Sequence, residues 1–122
     1  MKNVTLGRTG ITVPQNAFGA LPVQRVSVQE AAALLRRAFE GGMRFFDTAR
    51  AYSDSEEKLG EAFQGMRDRL YIYTKTAATT PEGIWRDLQT SLTNLRTDYV
   101  DLYQFHCVNR CYAPGDGTGM YE

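Results

Sequence analysis

The sequence predicts an α/β fold in which three strand-helix units and a fourth strand build a parallel sheet, half of an eight-stranded barrel. Three observations lead there. Short apolar runs at residues 15–20, 44–47, 70–74 and 99–105 recur at similar spacing. The stretches between them carry apolar residues at helical spacing behind recognisable helix starts. The length, 122 residues, suits one domain but not a closed barrel, which takes about 250 residues. The expectation is therefore a single partial domain over residues 1–122, with a hairpin at 1–13, strand-helix units at 14–106 and a loop tail at 107–122.

In chain order, residues 3–6 and 11–13 flank Gly7-Arg8-Thr9-Gly10 and read as a hairpin, because glycine supplies the positive φ of a tight turn. Residues 15–20, centred on Ala17 and Phe18 and bracketed by Pro14 and Pro22, form the first barrel strand. Ser27-Val28-Gln29-Glu30 is a capping box, and Ala31, Leu34, Leu35, Ala38 and Phe39 follow at the spacing of an amphipathic helix that Gly41-Gly42 stops. The second strand, 44–47, ends on Asp47. A loop bearing Tyr52 follows, and Ser53-Asp54-Ser55-Glu56 reads as another capping box, with Leu59, Ala62, Phe63 and Met66 on one stripe of its helix. The third strand, 70–74, ends at Lys75; Thr80-Pro81 is an N-cap with proline at the first helical position, and Ile84, Leu88, Leu92 and Leu95 mark a buried face. The fourth strand, 99–105, runs to His106, with Asp101 inside it either supporting the site or paired across the sheet. Residues 108–122, with Pro114, Gly115, Gly117 and Gly119, read as loop.

Composition narrows the function. Fourteen basic and fourteen acidic residues cancel with no block of like charge, so neither a nucleic-acid footprint nor a basic membrane face is expected. The start, MKNVTLGRTG, lacks a signal-peptide core, and no run approaches the roughly 18 apolar residues of a membrane span; a cytoplasmic location is expected. Cys107 and Cys111 without a multi-bridge pattern agree with a reducing compartment. Beside a single histidine, His106, they also fall short of the ligand set of a zinc site, and no metal is assigned.

The chemistry lies at the strand ends. Side chains two apart share a face of a strand, so Asp47, Lys75 and His106 are each the last inward residue of adjacent strands. Strands lie about 4.8 Å apart, so three ends span roughly 10 Å, the size of a small active site. The loop after the second strand can bring Tyr52 over them. Taken alone, each has a plainer reading: Asp47 as a loop acid, Tyr52 as a packing aromatic, Lys75 as a solvated lysine, His106 as a satisfied core residue. Together they form a pattern. Tyr71, Tyr73, Tyr99 and Tyr103 read as packing.

That pattern resembles the aldo-keto reductase family, whose members are NAD(P)H-dependent (β/α)8 TIM barrels. The resemblance rests on FDTA around Asp47, the five-residue step to Tyr52, SEEKLGEAF after it, YIYTK at Lys75 and DYVDLYQFH at His106, and it covers the family's first half. It implies a catalytic tetrad of Asp47, Tyr52, Lys75 and His106 that reduces aldehydes or ketones, with NADPH or NADH as cofactor. Tyr52 would donate the proton, Lys75 would stabilise the phenolate left behind, Asp47 would hold Lys75, and His106 would polarise the carbonyl. Gly19, Ala20 and Asp47 would lie where the cofactor approaches, and relatives similar around HCVNRCYAPGDGTGMYE carry iron–sulfur motifs further along. The alternative is a non-catalytic half-barrel that self-associates or needs a missing second half. A hydrolase or lyase using Asp47 and His106 leaves Tyr52 and Lys75 without a role.

Overall fold

The computed structural model describes all 122 residues. An antiparallel hairpin opens the chain, pairing β1 (Asn3–Thr5) with β2 (Thr12–Pro14), and its turn uses Gly7 and Gly10 at φ 55° and 76°. Four parallel strands follow in chain order, β3 (Phe18–Gly19), β4 (Phe45–Asp47), β5 (Tyr71–Thr76) and β6 (Leu102–Phe105). Helices α1 (Val28–Glu40), α2 (Ser55–Ala62) and α3 (Pro81–Leu95) make the crossovers. The half-barrel expected from the sequence is therefore the observed topology. No helix is long and apolar enough to cross a membrane.

The alternation of β5 divides the molecule into two faces. Ile72, Thr74 and Thr76 are buried toward the helices, while Tyr71, Tyr73 and Lys75 are half-buried on the other side. The main core joins Phe46 and Ile72 of the sheet to Ala31, Leu35 and Phe39 of α1, Leu59 and Ala62 of α2, and Leu95 of α3. Phe46 packs on Phe63 at a ring separation of 4.6 Å and on Phe18 at 5.8 Å, so neighbouring strands and the end of α2 share an aromatic contact.

Several elements differ from the sequence expectations. The first barrel strand is two residues long, because the chain turns into a 3-10 helix at Leu21–Arg25 around Pro22. Leu34 is exposed: α1 leans on α2, where Arg36 Nε donates to the Ala62 carbonyl at 2.9 Å, and Ala32 takes the buried place. Ile84, Leu88 and Leu92 are only half-buried, and Leu95 is the member of that face fully inside. The fourth strand begins at Leu102 because the Asp101 carboxylate, rather than a backbone carbonyl, takes the Ile72 N–H at 2.8 Å. Asp101 also pairs with Arg67 at 2.7 Å, which settles it as an acid paired beside the sheet, away from the strand ends that carry Lys75 and His106. The capping box of Ser27 and Glu30 forms as expected, with Glu30 held below the usual carboxylate range by its bonds to Ser27. The second does not form. Ser53 sits at φ 40°, Asp54 takes the cap position without a side-chain cap bond, and Glu56 turns inward.

Candidate active site

Parallel register places the expected residues on one rim. Gly19 aligns with Asp47, Asp47 with Tyr73, and Lys75 with Gln104, so the face of the sheet that carries Asp47 also carries Lys75 and, two residues past Gln104, His106. The ladder continues beyond the strands: Thr48 N–H donates to the Tyr73 carbonyl at 3.0 Å, Arg50 N–H to the Lys75 carbonyl at 3.0 Å, and His106 N–H to the Thr76 carbonyl at 2.8 Å. The loop carrying Tyr52 is thus stitched to the strand carrying Lys75.

At the centre is the Lys75 ammonium. It is ion-paired with the Asp47 carboxylate and donates to the Thr48 carbonyl at 2.8 Å. Tyr52 and Tyr73 flank it, with their ring centroids 5.2 and 5.3 Å from Nζ, inside cation–π range. The imidazole of His106 meets the Tyr52 ring edge-on at a centroid separation of 5.5 Å. All four expected residues therefore converge.

Tyr73 is pushed up to about 12, first by burial and then by the negative charge of Asp47, and it packs on Phe45 at 4.4 Å. Such a phenol holds its proton, and the sequence reading of Tyr73 as packing understates its place beside the lysine. The alternation Tyr71, Tyr73, Lys75 was the signal that it shares that face. Of the residues expected near a cofactor, Ala20 is wholly buried; its N–H donates to the Asp47 carbonyl at 2.8 Å and its carbonyl accepts from Ser55 Oγ at 2.9 Å. Asp47 is a quarter exposed, and Gly19 is open, with nothing packed within 4 Å of where a side chain would stand.

Behind the rim lies a polar support that the sequence reading missed. Thr48 Oγ1 and Ser55 Oγ are 2.9 Å apart; because Ser55 gives its single hydroxyl proton to the Ala20 carbonyl, Thr48 is the donor. Lys58 is buried and ties the Val23 carbonyl, at 3.0 Å, to Asp54, whose carboxylate it holds below its usual range. Glu56, fully buried, pairs with Arg50 and accepts from Thr74 Oγ1 at 2.7 Å and Asn94 Nδ2 at 3.2 Å. Its position three residues after Ser53 imitates a capping box, which hid this role.

The family model for the aldo/keto reductase family matches residues 15–116. The chain belongs to that family. Methylglyoxal reductase DkgA of Yersinia pestis is 38% identical over 100 residues, covering 80% of this chain and 35% of the relative. NADPH-dependent codeinone reductase 1-5 of Papaver somniferum is 36% identical, covering 80% of this chain and 33% of that protein. Among solved structures, an aldo-keto reductase from Klebsiella pneumoniae in complex with NADPH superposes with a TM-score of 0.74 at 31% identity, over 80% of this chain and 36% of that one. One from Brucella melitensis gives 0.71 at 34% identity, over 86% and 41%. The chain spans about a third of the length of these curated relatives.

Proposed function

We propose that this chain carries the proton-delivery site of a nicotinamide-dependent reductase acting on aldehydes or ketones, with NADPH as the cofactor. The observation that carries this reading is the convergence of Lys75, Asp47, Tyr52 and His106 on one rim. Reducing a carbonyl requires hydride at carbon and a proton at oxygen. A bound NADPH supplies the hydride, and the protein must supply the proton and the orientation.

Tyr52 is the proton donor. An isolated phenol ionises near pH ~10, and a fixed ammonium beside it lowers the cost of leaving a phenolate behind. Lys75 provides that charge, and Asp47 with the Thr48 carbonyl keeps its ammonium on the rim. Burial and the charge of Asp47 make Tyr73 a weaker acid than an ordinary phenol, so it steadies the rim and leaves proton delivery to Tyr52. His106, whose ring lies 5.5 Å from that of Tyr52, would donate to the same carbonyl oxygen and polarise the bond before the proton moves. Gly19 leaves open space beside Asp47, and these two residues would hold the cofactor's ring end there. Methylglyoxal reductase DkgA and the codeinone reductase support carbonyl compounds as the substrate class, and the codeinone reductase and the Klebsiella pneumoniae structure support NADPH as the reductant.

The test is Tyr52→Phe in a complete barrel carrying these residues. Carbonyl reduction should fall by about 10²–10⁴-fold, the usual worth of a positioned acid, with NADPH affinity nearly unchanged. Retention of most of the turnover would remove Tyr52 from the role of donor.

A further inference from the structure

We infer that Glu56, acting through Arg50, is the positioning residue for Tyr52, and that the pair sets where the phenol stands relative to Lys75 and His106. The consequence for catalysis rests on the reading of Tyr52 as proton donor; the positioning itself does not.

Tyr52 sits in a tight loop. Its N–H donates to the Ala49 carbonyl at 3.0 Å and its carbonyl accepts from Ser55 N–H at 2.8 Å, so the loop's own backbone fixes its curvature. Those bonds do not fix how the loop is placed over the sheet. Thr48 and Ser55 tie its two ends to the Tyr73 and Ala20 carbonyls, and between them, two residues from Tyr52, Arg50 makes two further links. The Arg50 N–H reaches the Lys75 carbonyl, and the Arg50 guanidinium pairs with Glu56. Glu56 is a rigid anchor for this purpose: wholly buried at the first turn of α2, it is held by Thr74, the residue before Lys75, and by Asn94 of α3. One carboxylate therefore connects the loop of the proton donor, the strand of its lysine and the helix behind both.

Burial makes the arrangement exacting. Removing one partner of a buried pair leaves an uncompensated polar group, whereas an exposed pair would give way to water at little cost. A loop released from Glu56 keeps its own turn but loses its fixed placement, and misplacement of a reacting group by about 1 Å costs about 10²-fold in rate.

Two variants test this. Glu56→Gln keeps the shape and an acceptor for Thr74 but removes the charge that Arg50 needs. Arg50→Met acts from the solvent side, where that side chain is a quarter exposed. The first readout is NMR of the purified chain, following the through-space contact between the Tyr52 and His106 rings. Both variants should lose that contact while the hairpin resonances stay in place, and Arg50→Lys should recover part of it. The second readout, in a complete barrel, is a kcat lower by about 10²-fold with KM little changed and a displaced pH–rate profile. A ring contact that survives in either folded variant overturns the inference. Failure of both variants to fold overturns it too, because the pair would then serve folding and not placement. If the ring contact behaves as expected while Tyr52→Phe keeps its turnover, the reading of Tyr52 as proton donor fails and the positioning stands.

Discussion

Two regions at the same end of the sheet are built in opposite ways. The rim formed by β4, β5 and the Tyr52 loop is closed: Lys75, Asp47, Arg50, Glu56 and Lys58 all have charged partners, and Thr48 and Ser55 are hydrogen-bonded behind them. The region from β6 onward is open. Its outer strand edge has no neighbour in the sheet, Phe105, Val108 and Tyr121 are exposed, and a groove of about 830 Å³ runs between Phe105, Val108, Cys111, Tyr112 and Met120. The difference teaches where the chain is self-sufficient. The charged rim is assembled by one continuous stretch and its strand partner, while the side from β6 onward presents unpaired backbone and apolar surface. An unpaired strand edge is a place where another strand can add, and both outer strands, β3 and β6, present one.

The largest expected effect breaks the closed region at its centre. Lys75→Met should reduce carbonyl reduction in a complete barrel by about 10²–10⁴-fold and displace the alkaline limb of the pH–rate profile, since the phenolate loses its counter-charge. A profile that does not move would uncouple Lys75 from Tyr52.

Next in size is a change in the backing of the rim. Gly60 lets α2 approach α3 so closely that a side chain there would stand 2.3 Å from the Asn94 carbonyl oxygen and 3.0 Å from the Leu95 carbonyl carbon. Because both obstacles are backbone, neither can swing away. Gly60→Ala should cost at least about 1–3 kcal/mol, read from denaturant unfolding, and should loosen the Glu56 anchor with it. Unchanged stability would mean that the two helices are free to part.

How much of this contrast was legible in the sequence depends on the period of each signal. Asp47, Lys75 and His106 were legible as neighbours because a strand's two-residue alternation fixes the face, and the register puts Asp47 and Lys75 on one face; the height was less so, since β5 runs one residue past Lys75 and β6 ends one residue before His106. Helix starts at Ser27 and Thr80 were legible because cap and helix are adjacent in sequence. Glu56 was not: the same Ser-x-x-Glu spacing serves a cap when serine is extended and a buried anchor when it is left-handed, as Ser53 is at φ 40°. Leu34 and Asp101 were misjudged or undecided for a related reason. Which side of α1 meets α2, and whether a carboxylate or a carbonyl meets the Ile72 N–H, depend on partners about 30 residues away.

The smallest effect belongs to the open region and sharpens the comparison from its other side. Asp116 lies at about 2, held down by hydrogen bonds from Thr118 first and from Ala113 after it. A carboxylate lowered in this way adds local stability above its ordinary value of 3.8 and loses it as pH falls through about 2. Acidification across that window should release the turn at residues 113–118, seen in the amide shifts of Ala113 and Thr118, while the contact between Tyr52 and His106 persists. Simultaneous loss of both would mean that tail and rim are a single unit.

The proposed division between a closed rim that delivers the proton and an open side that lacks cofactor contacts is tested most directly by titrating the 122-residue chain with NADPH, followed by fluorescence, beside an assay of carbonyl reduction on the same sample. The account predicts weak, unsaturated binding and no turnover, with the Tyr52 and His106 rings still in contact by NMR. Tight, saturable binding with turnover by this chain alone would contradict it, since the open side would then already hold everything the reaction needs.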